Sequence, residues 1–223
     1  MEYKKDGSGI SYHPGASFAM GDSDIVLYAI WSDENALIYS FDNIGNNNDW
    51  ILDSYTVIDA NNPPNTGNGL RTTNTNQWGS SYAYNQSVDW NSYIIEGDIT
   101  FLSFKGEEGN YWPNAAFLVR MDTGNNGYAG LISPSGVELK KITDGAEVTI
   151  GTKGSLATGI GQTRHIKMVA DGNQLSLYVD GILMASATDA TYTSGFVGVK
   201  TYEATAFFDN FKITEIKRKV TRL

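Results

Sequence analysis

The sequence predicts an all-β protein, a β-sandwich of two antiparallel sheets, and three observations carry that prediction. Almost every apolar run alternates with period two, as in "YIIEGDITFLSF", "AAFLVRMD", "HIKMVAD", "QLSLYVDG" and "FVGVKTY". These runs are joined by "DTGNNG", "ADGNQ", "VDGIL" and "SPSGV", the Gly, Asn, Asp and Pro chemistry of tight hairpin connections. No segment shows convincing helical periodicity, while 223 residues at 41% hydrophobic and 12% aromatic suffice to bury a full core.

Charge and composition narrow the function classes. With 16 Lys+Arg against 25 Asp+Glu the net charge is -9, which repels phosphate backbones and argues against a nucleic-acid or anionic-membrane partner. Neutral glycans or cations suit such a surface. No cysteine is present, so no disulfide framework or thiolate metal site forms. No window of 18 apolar residues and no basic-then-apolar start occurs, so no membrane span or signal peptide is expected; an exported protein would be represented here by its mature chain or a fragment of it.

Taken in order, the chain opens with residues 1–32, whose last apolar run ends at Trp31. "SDEN" then separates two apolar runs, placing a linker at 33–36, a sandwich over 37–217 and a basic tail at 218–223. Residues 59–81 are polar, Asn-rich and hold the only Pro pair, and they read as a surface excursion able to line a site. In "EGDIT" the side chains of Glu96, Asp98 and Thr100 share one strand face, but Thr100 stands where a second catalytic acid would be required. Gln162, Arg164 and His165 offer lyase-type groups, yet alternation puts His165 with Lys167 and Val169, opposite Arg164. No phosphate loop, "GxSxG" or "HExxH" occurs, and no enzyme activity is expected.

A sugar is gripped by aromatic faces and by planar polar groups that take its hydroxyls in pairs. Trp78 in "TNQWGSS" and Trp112 in "EEGNYWPNAA" lie in polar, turn-rich loops, where an indole has little reason to be buried. Arg120 shares a face with Leu118 and Asp122, and a guanidinium among apolar neighbours needs bidentate partners: a sugar diol, or a carboxylate such as Asp122 or Glu96. Tyr128 opens the next strand within reach of the same face, while Tyr202 and Glu203 sit at the loop before the closing strand. In that strand, "TYEATAFFDNFKI", alternation places Asp209 beside Phe207, Phe211 and Ile213 on the apolar side, where a carboxylate must be paired, hydrogen-bonded or metal-bound.

Two resemblances add to this reading. "DWILDSYTVID", "WNSYIIEGDITF", "AAFLVRMD" and above all "LSLYVDGILMASATDATYTSGFVGVKTYEATAFFDNFKI" resemble the concanavalin A-like, laminin-G-like sandwiches found as carbohydrate-binding modules in bacterial glycan-degrading enzymes. That resemblance implies a jelly-roll, glycan binding, packing roles for Trp50 and Trp90, and a ligand-face role for Arg120. It also implies a closing strand paired with "ALIYSFDNIG", where Asp42, Asn43 and Asp209 would hold a structural calcium ion (Ca2+); the other reading of Asp209 is a carboxylate that accepts backbone N–H bonds. The stretch "KKDGSGISYHPGASFAMGDSDIVLYAIWS" resembles the second half of a Listeria–Bacteroides-type bacterial surface repeat through Asp6, Gly7, Ser8, Gly9, Leu27, Tyr28, Ala29 and Trp31, a small N-terminal β fragment.

The expectation is therefore a non-catalytic carbohydrate-binding module of an exported bacterial multidomain protein, extracellular or at the cell surface, tethered to a catalytic domain and binding a polysaccharide or oligosaccharide. The alternative is an adhesion or spacer domain with a protein partner.

Overall fold

The computed structural model describes residues 36–39, 50–59, 68–73, 80–85, 89–105, 112–151 and 153–216. The surface-repeat fragment, Trp78, Asp42, Asn43 and the basic tail lie outside them. The chain divides at Glu34, and the described residues belong to the unit that follows.

Fifteen strands and no helix make up the described residues: β1 (Ala36–Tyr39), β2 (Trp50–Leu52), β3 (Thr56–Asp59), β4 (Gly69–Thr73), β5 (Ser80–Asn85), β6 (Tyr93–Phe104), β7 (Asn114–Met121), β8 (Gly127–Ser133), β9 (Gly136–Thr143), β10 (Ala146–Thr149), β11 (Thr163–Asp171), β12 (Gln174–Val179), β13 (Ile182–Thr188), β14 (Phe196–Tyr202) and β15 (Ala204–Glu215). They form two antiparallel sheets of a jelly-roll sandwich. Sheet A runs β13-β12-β11-β6-β15-β4-β3 with β1 also on β15, and sheet B runs β10-β9-β8-β7-β14-β5-β2. Period-two alternation turns one side of each sheet inward, where Ile95, Ile99, Phe101, Met168, Leu177 and Phe208 of sheet A meet Phe117, Val119, Ile132, Leu139 and Val199 of sheet B. Trp50 is buried in this core against Phe211, and Trp90 packs against its edge, the structural roles expected of both. Ala116, Leu118, Met121, Ala129, Leu131 and Ile142, on the opposite side of sheet B, form a second buried cluster.

Three features depart from the sequence reading. The 59–81 stretch is not only an excursion: "GLRTT" within it is β4, which pairs with β3 and β15 and buries Leu70 completely in the core. Its flanking Gly, Asn and Thr residues hide a strand whose one large apolar residue does the packing. "DWILDSYTVID" is likewise two strands in two sheets, parted at Asp53, whose carboxylate accepts from the Tyr55 and Tyr82 N–H groups at 3.0 and 2.8 Å.

The third departure concerns Asp209. The register of β15 against β6 shifts between Asp209 and Lys212, where Asn210 has φ +54. This bulge inserts one extra residue and resets the alternation, so Phe208 and Phe211, three apart, both enter the main core. Asp209 therefore does not share a face with Phe211 and Ile213. Gly97 makes room for the bulge, since a Cβ there would lie 2.8 Å from the Asp209 carbonyl oxygen. The closing strand does pair with the opening one, Ala36 facing Thr214 and Tyr39 facing Phe211.

Candidate functional site

The six ligand-site candidates among the described residues, together with Asp209, separate into distinct places in the fold. Trp112, Tyr202 and Glu203 come together at one end of the sandwich. Tyr202 closes β14 in sheet B and Ala204 opens β15 in sheet A, so Glu203 alone makes the crossing, with φ +51. That conformation is uncommon for a residue with a side chain, and it is held here: the Glu203 carbonyl accepts the Lys105 N–H at 2.9 Å. Its carboxylate accepts the Trp112 N–H at 3.1 Å and the Tyr202 hydroxyl. Burial, and then the Glu203 charge and hydrogen bond, push the Tyr202 phenol above its ordinary pKa. The Asn114 side-chain amide donates to the Trp112 carbonyl at 2.9 Å. The backbone of Trp112 is thus fixed on both sides while its side chain stays open, at 66% exposure against 2% for Glu203. An exposed indole face held in place by a buried carboxylate is the chemistry that stacks on a sugar ring.

Arg120 is not part of that group. It lies near the other end of β7, about 20 Å from Asn114 at a rise of roughly 3.3 Å per residue. A register shift against β14 gives it φ +54 and turns its side chain into the end of the sandwich, where it is 1% exposed. Nη1 donates to the Tyr192 carbonyl at 3.1 Å, and Nη2 donates to the carbonyls of Asn91 and Gly172, each at 2.6 Å. The Arg120 N–H donates to the Tyr93 hydroxyl at 2.6 Å, and burial raises the pKa of that phenol well above its usual value. The expectation of a guanidinium facing ligand is corrected by these bonds. Asp122 and Glu96 are not its partners either: Asp122 caps the β7–β8 turn, accepting the Gly124 and Asn126 N–H groups at 2.7 and 2.9 Å.

Tyr128 is also enclosed. Its hydroxyl donates to Asp189 Oδ1 at 2.7 Å and accepts the Tyr192 N–H at 3.0 Å, and burial lifts its pKa to about 12. Asp189 is held as a carboxylate by Lys141 at 2.8 Å and by Thr191, and its pKa lies below the ordinary value despite desolvation.

Glu96 stands on the outer face of sheet A. Beside it His165 Nδ1 bonds Asp98 Oδ1 at 2.8 Å, Asn210 Nδ2 donates to Asp98 Oδ2 at 2.8 Å, and Lys212 lies 3.8 Å from the Glu96 carboxylate. Alternation located His165 and Glu96 on strand faces; what it lacked was the register of β11 on β6, which sets His165 opposite Asp98. Thr100 bonds Thr163 at 2.7 Å rather than completing an acidic pair. The Asp209 carboxylate accepts the Asn210 N–H at 2.7 Å, the hydrogen-bonded reading of this residue. Among the described residues no group of three or more His, Asp or Glu side chains is placed to hold a metal ion; Asp42 and Asn43, the other calcium candidates, lie outside those residues.

One buried cation was not anticipated. Lys200, on the outer face of sheet B opposite Ala116 and Tyr82, is 1% exposed and ion-paired with Glu147. Desolvation, assisted by Lys140, outweighs that attraction and brings its pKa down from 10.5 to about 7. Between those values the unfolded chain binds a proton that the folded one does not, so Lys200 makes stability rise with pH across that window. Lys200→Met removes the titrating group, while Glu147 keeps Lys140 at 3.6 Å, and it is expected to flatten that rise in melting temperature. A wild-type melting temperature level from pH 7 to 10 contradicts this.

No family model matches the chain. A levanase from Bacillus subtilis (strain 168) is 27% identical over 127 residues, covering 56% of this chain but only 18% of the levanase. Among solved structures, the carbohydrate binding module CBM66 from Bacillus subtilis superimposes with a TM-score of 0.63 at 22% identity, over 75% of this chain and 96% of that one. The Crh5 transglycosylase does so with a TM-score of 0.59 at 8% identity, over 83% and 86%. These likenesses establish the fold, which binding modules and enzymes share.

Proposed function

We propose that this chain is a non-catalytic carbohydrate-binding module that takes a glycan at the sandwich end formed by Trp112, Tyr202 and Glu203. The observation that carries the reading is an indole left exposed while its backbone is fastened to a buried carboxylate. Surface loops rarely hold a large aromatic in one place at such exposure without a partner for it. The levanase match and the likeness to a carbohydrate-binding module support the same reading, and they support a place beside a catalytic domain in an exported bacterial protein, outside the cell or on its surface. Two carboxylates on one strand, Glu96 and Asp98, are committed to His165, Asn210 and Lys212, which favours a structural over a hydrolytic role for them.

The test is affinity electrophoresis through gels containing levan, inulin, xylan, mannan or glycol chitin. At least one polysaccharide is expected to retard the wild type, and Trp112→Ala is expected to weaken that retention about tenfold, close to 1.4 kcal/mol. Equal retention of the two proteins, with the fold intact, moves the site elsewhere.

A further inference from the structure

At the end of the sandwich opposite Trp112, the segment leading into β6 and the residues closing β15 border an open pocket of about 360 Å³ lined by Asp89, Trp90, Asn91, Ser92, Glu215 and Ile216. The segment from Asp89 to Ser92 belongs to no strand, yet it is fastened at three points, two on its backbone and one on the Ser92 side chain. Arg120 Nη2 donates to the Asn91 carbonyl at 2.6 Å, the Ile216 N–H donates to the Ser92 carbonyl at 2.9 Å, and the Gly172 N–H donates to Ser92 Oγ at 3.1 Å. Trp90 meets the ring of Tyr93 edge-on at 6.4 Å, and the Tyr93 hydroxyl in turn accepts the Arg120 N–H. An irregular segment ordinarily has to become ordered to take a ligand; this one is already set.

We infer that this pocket is a second sugar-binding site, independent of the one at Trp112. Its volume is at the small end of ligand pockets, roughly 300 to 1,000 Å³, and suits one or two sugar rings. Trp90 supplies a face for the ring. Asp89 and Asn91 are exposed and spend no side-chain hydrogen bond on another described residue, so a carboxylate and an amide are left to take neighbouring hydroxyls. The wall carries two carboxylates, Asp89 and Glu215, which disfavour a uronate or a phosphate relative to a neutral sugar. Arg120 is then a positioning residue for this site, acting through the Asn91 carbonyl. The two sites lie about 35 to 40 Å apart along β6, so one module would hold two chains, or two points of a branched one, and retention on a polymer would exceed that of either site alone.

The experiment follows the indole N–H resonances of 15N-labelled protein during titration with the methyl glycosides of glucose, mannose, galactose, xylose and fructose, and with glucuronate; Trp90→Phe and Trp112→Ala assign the two signals. The Trp90 signal is expected to shift saturably with at least one neutral glycoside and not with glucuronate. Asp89→Ala combined with Asn91→Ala is expected to weaken that titration at least tenfold and to leave any Trp112 titration unchanged. The proposal is overturned if no neutral glycoside moves the Trp90 signal, if the double variant titrates like wild type, or if Trp112→Ala abolishes the Trp90 shift and so merges the two sites. The reading of Trp112 fails separately, if its own signal stays fixed.

Discussion

Replacing Arg120 by alanine is expected to destabilise the sandwich by about 3 to 5 kcal/mol, the range for removing one partner of a buried charged cluster. Three backbone carbonyls, from Asn91, Gly172 and Tyr192, lose charge-assisted donors at once, each such bond contributing about 1.5 to 3 kcal/mol before relaxation. These carbonyls belong to three separate segments that the guanidinium fork joins. Arg120→Lys should recover little, because a single ammonium cannot reach all three. Urea denaturation followed by tryptophan fluorescence measures the loss. An unchanged midpoint would mean that the guanidinium is not an internal clamp.

Glu203→Ala is expected to remove glycan binding at the Trp112 end by at least tenfold and to cost about 1 to 2 kcal/mol of stability. The substitution deletes the acceptor of the Trp112 N–H and of the Tyr202 hydroxyl together, leaving a buried donor unsatisfied and the indole without its anchor. It also leaves a non-glycine residue in a left-handed conformation with fewer contacts to hold it there. Glu203→Gln, which keeps an acceptor oxygen for Trp112, should lose stability least. Calorimetric titration with the polysaccharide that retards wild type separates the two effects. Full affinity in Glu203→Ala would remove this corner from the site.

The strands from β6 onward were legible because each is an alternating run closed by turn residues, and the hairpin sequences named the connections. What alternation could not supply was register and parity. Asp209 was set on the face of Phe211 because a bulge at Asn210 leaves no mark in a two-residue count. Arg120 was set on the face of Leu118 and Asp122 for the same reason: the register shift against β14 turns its side chain into the interior. Strand β4 was missed because four of its five residues, Gly69, Arg71, Thr72 and Thr73, are not apolar, and its place is set by partners far away in sequence. Trp112, Tyr202 and Glu203 were found separately, from loop composition; that they share one hydrogen-bonded corner follows from the pairing of Asn114 with Tyr202.

The pairing of β1 with β15 bears on how the domain responds to force. Strand β15 is covered on one edge along its length by β6, while its other edge is shared, β4 taking the first half and β1 the second. Ala36, where β1 starts, faces Thr214, one residue before β15 ends. A pull applied through the chain on either side of the sandwich therefore meets two antiparallel strands at the same end. It opens their hydrogen bonds one after another, as a zip opens, instead of shearing them together. Under tension β1 would peel away first at low load, while the two sheets stay assembled, and the domain would yield length at its root before the sandwich itself opens.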